Sequence, residues 1–331
     1  MATSKTSGLT HGNKVTDGLM DTRISQKNPI ANVVAYKALG LAVSNVEAAT
    51  EFYSRFGFDL EKEKSVDNVN VLTHPGGLEL HVFKADRAHV DNKNILMDYD
   101  ENKYPGINHM SYSVPNVTAC KGFLESKGIT IKDKRQYPND PRIYAIFIRD
   151  PDMTTIEFEN NHGEEFLSVE HFTASMIGEN RPIDHVGIRV FDPDSTLTWY
   201  AEKLGFNNLV AKFEYDPTAP LKNGRPWISR TQSGTDINLI LNTNERPKEH
   251  VLTAGGSVAP GILYAFWSIE ESISAVAVNL KAEGVPVVLE RDVETSELKF
   301  LSKRFVPAAK GLSSIFIQDP CQNIIRLIGP Q

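Results

Sequence analysis

The sequence predicts an α+β protein of two domains, each of paired βαβββ units forming curved, open-barrel sheets with helices packed outside. Three observations predict it. A strand, a helix and three strands recur four times along the chain. An Asp-Pro turn between apolar runs, FIRDPDMTTIEF over Phe147–Phe158, returns as FIQDPCQNIIRL over Phe316–Leu327. Helix ends repeat as FYSRFGF and WYAEKLGF, and strand openings repeat as PGINHMSYSV and PGILYAFWSI.

Each unit follows from local patterning. In the first, YKALGLAV alternates as a strand, VSNVEAATEFYSRFGF has helical spacing ended by Gly57, and DLEKEK, VNVLTH and GLELHVFK are strands with a Gly76-Gly77 turn. The second starts at Pro105 with INHMSYSV, a helix through TACKGFLESKG, then ITIKDKRQY, RIYAIFIRD and TTIEFENN. The third is IDHVGIRV, the helix TLTWYAEKLGF, and strands through WISRTQ and DINLILN. The fourth opens PGILYAFWSI, continues with ISAVAVNLKAEG and closes on SSIFIQDP and NIIRLIG. Between Val288 and Gly311 it carries an insertion, expected as a loop or a lid over a pocket. The boundaries are a polar tail over 1–33, expected to be disordered, a first domain over 34–162, a linker over 163–181 and a second domain over 182–331.

Composition narrows the function. Of 331 residues, 40% are hydrophobic and 23% charged, enough to bury two ordinary cores. The net charge is -7 with no long run of either sign, which argues against nucleic-acid or anionic-membrane partners. Cys120 and Cys321 lie in different units and build no disulfide or zinc pattern, so a reducing, cytoplasmic setting is expected. No apolar run reaches membrane-spanning length, and the opening segment lacks a signal-peptide core. The expected partner is a small-molecule substrate, with the chain a monomer or homodimer.

One carboxylate stands out. Ile156 and Phe158 flank Glu157, so strand alternation sends them to one face of the sheet and Glu157 to the other. A carboxylate aimed into a sheet interior requires a buried cation or a metal. In the fourth unit the matching residue is Arg326.

IDHVGIRV followed by WYAEKLGF, and INHMSYSV followed by FIRDPDMTTIEF, resemble the vicinal oxygen chelate superfamily of glyoxalases, bleomycin resistance proteins and extradiol dioxygenases. The resemblance implies a divalent metal in a cup formed by two units, with ligands from the first and last strand of each. Read at those positions, the units offer Ala38 and Glu79, His109 and Glu157, His185 and Asn238, and Tyr264 and Arg326. If each domain closes on itself, His185 has no strong fellow ligand. If the second unit pairs with the third, one cup holds His109, Glu157, His185 and Asn238, and the other could hold a Glu79–Arg326 ion pair. The second arrangement is preferred, with Glu79 kept as an alternative ligand. Two imidazoles and a carboxylate with open positions suit Fe(II), with Mn, Zn, Ni or Co possible.

The resemblance implies three functions. The first is an Fe(II) dioxygenase acting on a phenolic or catechol-like small molecule. The second is a glyoxalase- or epimerase-like lyase or isomerase working through a metal-bound enediolate, with Glu157 as catalytic base. The third is a metal-free binding protein, against which the His109–Glu157–His185 set argues. The chain departs from extradiol enzymes in having Phe147 where they carry a tyrosine, and from glyoxalase I in having Asn238 where a second glutamate is expected. Tyr144, Phe147, Tyr112 and Trp267 could line a pocket or belong to the core. His81 lies on the strand face of Glu79, and His74, His89, His162, His171 and His250 are expected at the surface.

Overall fold

The computed structural model describes residues 23–89, 93–96, 98, 104–136, 142–160, 171–179, 183–212, 225–241 and 249–331. The first 22 residues of the expected tail, linker residues 163–170 and 180–181, and His162 lie outside the described residues.

All four units have the order strand, helix, three strands. The first is β1 (Val33–Val43), α1 (Val46–Ser54), β2 (Asp59–Leu60), β3 (Val69–Thr73) and β4 (Glu79–Lys84). The second is β5 (Gly106–Ser113), α2 (Val117–Ser126), β6 (Asp133–Gln136), β7 (Ile143–Arg149) and β8 (Thr155–Glu159). The third is β9 (His185–Val190), α3 (Pro193–Leu204), β10 (Asn208–Lys212), β11 (Arg225–Arg230) and β12 (Asp236–Leu241). The fourth is β13 (Gly261–Ile269), α4 (Ile273–Ala282), β14 (Val287–Leu289), β15 (Leu312–Gln318) and β16 (Ile324–Pro330). Asn45, Asn116 and Asp192 cap the first three helices by accepting from the backbone N–H three residues on.

Within each unit the first strand pairs parallel with the last. Between units the pairing is crosswise: β5 runs antiparallel to β9, and β1 antiparallel to β13. The second unit therefore shares a curved face with the third, and the first with the fourth. Sequence neighbours meet instead on the helix side, where the core lies. There Tyr53 of α1 donates to Asp150 at 3.0 Å, and Tyr200 of α3 donates to Asp319 at 2.9 Å. The duplicated tyrosines and Asp-Pro turns are thus two halves of one contact, made twice. Each aspartate also closes its own turn, Asp150 Oδ1 accepting from Asp152 N and Thr154 N, and Asp319 Oδ1 from Cys321 N and Asn323 N.

Three expectations are corrected. From Arg23 the polar N-terminal stretch is bound to the third unit rather than loose. Ile30 N and Ala31 N donate to the Glu202 and Lys203 carbonyls at 3.1 and 3.0 Å, satisfying acceptors at the end of α3 that the helix itself leaves open. The run DLEKEK forms only a two-residue strand, because the chain turns where Lys64 N and Ser65 N bond back to Glu61 O. His74 and His250 are buried, His74 against Phe58 with its Nε2 3.2 Å from the Phe56 carbonyl.

Candidate metal centre

Strand register builds the first cup. Ile156 and Phe158 enter the helix-side core, leaving Glu157 on the opposite face. Ser111 lies opposite both Glu157 on β8 and His185 on β9, while His109 lies opposite Gly187. The result brings three residues from two domains to one point. His109 Nε2 is 3.0 Å from His185 Nε2, and Glu157 Oε2 is 3.3 and 3.6 Å from those two atoms. Two ligands bound at about 2.1 Å on one ion stand roughly 3.0–3.4 Å apart; two of the three distances fall in that range and the third is 0.2 Å beyond it, so the three atoms could hold one ion. The imidazoles meet edge to face at 89°.

The far side of each ring is held. His109 Nδ1 faces Asn108 Oδ1 at 2.8 Å, and His185 Nδ1 faces Glu159 Oε1 at 2.9 Å and Asp184 Oδ2 at 3.1 Å. These acceptors hold a proton on each Nδ1 and turn the Nε2 atoms toward Glu157. Burial pulls His109 below the usual imidazole range. Burial alone would raise Glu157, but the two imidazoles more than offset it and hold the carboxyl well below its usual range. Burial would lower His185 as well; the charge of Glu159, with Asp184 and Glu157, overcomes it and raises His185 well above its usual value.

Two more oxygens on this face are buried without a hydrogen-bond partner, Asn238 Oδ1 and Thr155 Oγ1. Asn238 and His109 flank Gly187 from the two neighbouring strands. An orphaned acceptor beside a His-His-Glu set is an oxygen that a bound cation would satisfy, and the donor set fits a divalent transition metal. Phe147 lies directly opposite Glu157 on β7 and lines the cup, under the Arg135 guanidinium at 4.8 Å. Tyr112 and Trp267 belong to the core, and Tyr144 is buried.

The second cup has the same register and different chemistry. Gly40 lies opposite Tyr264 and His81, and Ala38 opposite Phe266 and Glu79, while Phe266 in turn lies opposite Arg326. The positions of His109, Glu157, His185 and Asn238 are therefore taken by Tyr264, Arg326, Ala38 and His81. Glu79 sits one step away from the position expected for it. Its carboxylate bonds Lys64 and lies 3.7 Å from His81 Nε2, contacts that lower it to about 2. The Glu79–Arg326 pair is not formed, since three strand spacings, roughly 14 Å, separate them. Arg326 pairs instead with Glu290 of the insertion at 2.8 Å, donates to Ser314 Oγ at 3.1 Å, and stacks on Phe266 at 4.4 Å. The insertion closes this cup: Phe305 packs on Phe316, and Tyr264 Oη donates to the Arg304 carbonyl. Beside it lies a cleft of about 700 Å³, lined by residues that include Phe83, Lys84 and Arg304 and by none of the metal-cup residues.

The two glycines give a paired test. A Cβ on Gly187 would lie 2.0 Å from His109 Cε1, and one on Gly40 would lie 2.1 Å from the Tyr264 ring. Gly187→Ala should displace His109 and weaken metal binding at least tenfold, whereas Gly40→Ala should lower the melting temperature and leave metal affinity unchanged. Chelator competition on both variants measures it, and equal loss of metal would contradict the division into two cups.

The family model described as the Glyoxalase/Bleomycin resistance protein/Dioxygenase superfamily matches residues 33–158 and 182–327. Lactoylglutathione lyase of Schizosaccharomyces pombe is 31% identical over 101 residues, a match spanning 30% of this chain and 30% of that relative. Among solved structures, a proposed dioxygenase from Bacillus subtilis superposes with a TM-score of 0.58 at 14% identity, covering 91% of this chain and 86% of that one. Glyoxalase I from Zea mays superposes with a TM-score of 0.54 at 14% identity, covering 89% and 92%. At these identities the structural likeness concerns the fold.

Proposed function

We propose that this chain, which belongs to the Glyoxalase/Bleomycin resistance protein/Dioxygenase superfamily, is a metal-dependent enzyme holding one divalent metal on His109, Glu157 and His185. The metal we favour is Fe(II), and the reaction is a dioxygenation of a phenolic or catechol-like small molecule. The observation that carries the reading is the convergence of the three side-chain atoms within 3.6 Å of one another. Bound there, the ion would supply Lewis acidity and, as iron, electrons for dioxygen.

The residues around it have separable tasks. A metal bound in place of the His185 Nε2 proton would meet Nε2 donors on both rings, their Nδ1 protons held by Asn108 for His109 and by Glu159 and Asp184 for His185. With Glu159 and Asp184 committed to His185, Glu157 is the carboxylate left at the centre: the anionic ligand in this reading, and in the lyase reading below also the proton acceptor. Phe147, directly opposite Glu157, gives the cup an apolar wall that keeps water from that side of the carboxylate. A metal-free binder would set an imidazolium at His185 against the buried carboxyls of Glu157, Glu159 and Asp184, an excess of acidic groups that burial makes costly. A small-molecule substrate and a cytoplasmic setting belong to the same reading; among the described residues no helix is long and apolar enough to cross a membrane.

A second reading, a glyoxalase-like lyase or isomerase, draws on Asn238. Its unpartnered Oδ1 could serve as a fourth donor, closing a position that dioxygen needs. The test is a direct comparison. Iron-loaded protein should consume oxygen with catechols or hydroquinones. Turnover of a hemithioacetal by nickel- or zinc-loaded protein, with no oxygen uptake under any phenol, would replace the dioxygenase assignment by the lyase one.

A further inference from the structure

The two imidazoles of the metal cup are supported unequally. Each histidine is held at Nδ1 by the side chain of the residue before it, Asn108 for His109 and Asp184 for His185. Asn108 can do so because the β5–β9 register slips between Ile107 and His109. His185 alone has a second acceptor, Glu159 Oε1 at 2.9 Å, and that same oxygen accepts from Ser111 Oγ at 3.0 Å. Glu159 is 2% exposed and Asp184 4% exposed. Two carboxylates so deep in the sheet are expensive unless they serve something charged. Ser111 lies between His185 and Glu157 in register, so Glu159, Ser111 and His185 form one bonded layer beneath the three facing atoms.

We propose that Glu159 and Asp184 are positioning residues for the metal: they clamp His185 Nδ1–H and make His185 a stronger donor than His109, which among the described residues has an amide behind it and no carboxylate. The inference rests on the metal reading above. A carboxylate behind a ligating imidazole fixes its tautomer and raises its basicity, and losing such a partner costs roughly 10–100-fold in metal affinity. An acceptor drawing on Nδ1–H makes the imidazole more electron-rich, which also favours the higher oxidation state of a bound redox metal. The pair thus sets affinity and potential while touching neither metal nor substrate.

The experiment uses the full chain with Glu159→Gln and Asp184→Asn, substitutions that keep size and hydrogen bonding. Zinc affinity is measured by competition with a chromophoric chelator, and the cobalt-loaded proteins are compared by visible absorption. Each variant should bind zinc roughly 10–100-fold more weakly, shift the cobalt bands, and raise the midpoint potential of bound iron. Should Glu159→Gln not fold, Asp184→Asn carries the same test. Variants that melt earlier but keep wild-type zinc affinity and cobalt spectra would overturn the proposal and leave the metal reading standing. A wild type that binds no metal would overturn both.

Discussion

Glu157→Gln should leave the protein essentially without metal after reconstitution. The substitution keeps the side chain's size but removes the only anionic member of the three facing atoms. Two imidazoles and an amide hold a divalent ion poorly. The expected loss of affinity exceeds about a hundredfold, since partners behind a ligand are already worth roughly 10–100-fold. His185→Ala should lose metal because it removes one of the three ligands, and Arg326→Ala should keep wild-type content because it lies in the other cup. Elemental analysis at matched protein concentration reads all three. Full metal occupancy in Glu157→Gln would remove that residue from the centre.

The second large effect falls on stability rather than on metal. Arg326 is fully buried, and Glu290 is the carboxylate paired with it at 2.8 Å. Glu290→Gln leaves a guanidinium in the interior without its counter-charge, and breaking such a pair costs about 3 kcal/mol. Stacking on Phe266 and Phe316 softens the loss without replacing it. Arg326→Met should cost less, because the remaining Glu290 side chain is 21% exposed and can turn to water. The denaturation midpoint should fall in Glu290→Gln at unchanged slope, with zinc affinity as in wild type. Loss of metal together with stability would show that the two cups are not independent.

Much of this was legible in the residues. The repeated Asp-Pro turns and helix ends gave the four units, and they mark a real contact, Tyr53 with Asp150 and Tyr200 with Asp319. Strand alternation around Glu157 gave its face, and the economy of ligands gave the crosswise cups. What stayed hidden depends on register and on segments with no counterpart. Glu79 and His81 share one face of β4, two residues apart, so alternation alone does not choose between them; the ladder does, setting Glu79 opposite Ala38 and His81 opposite Gly40 as Asn238 is set opposite Gly187. The partner of Arg326 comes from an insertion present in one unit only, so no repeat could point to it. Strands β10 and β14 were not separated from their loops. Glu159 was in plain view two residues from Glu157, on the same face by alternation, but its task depends on His185 arriving from another domain.

The central claim is that one cup binds metal and the other does not. Crystals grown with a divalent transition metal and measured at its absorption edge test this directly. A single anomalous peak bonded to His109 Nε2, Glu157 Oε2 and His185 Nε2, with nothing at His81, Glu79 or Arg326, is the predicted result. A peak on His81 and Glu79, or none between the two histidines, would contradict it.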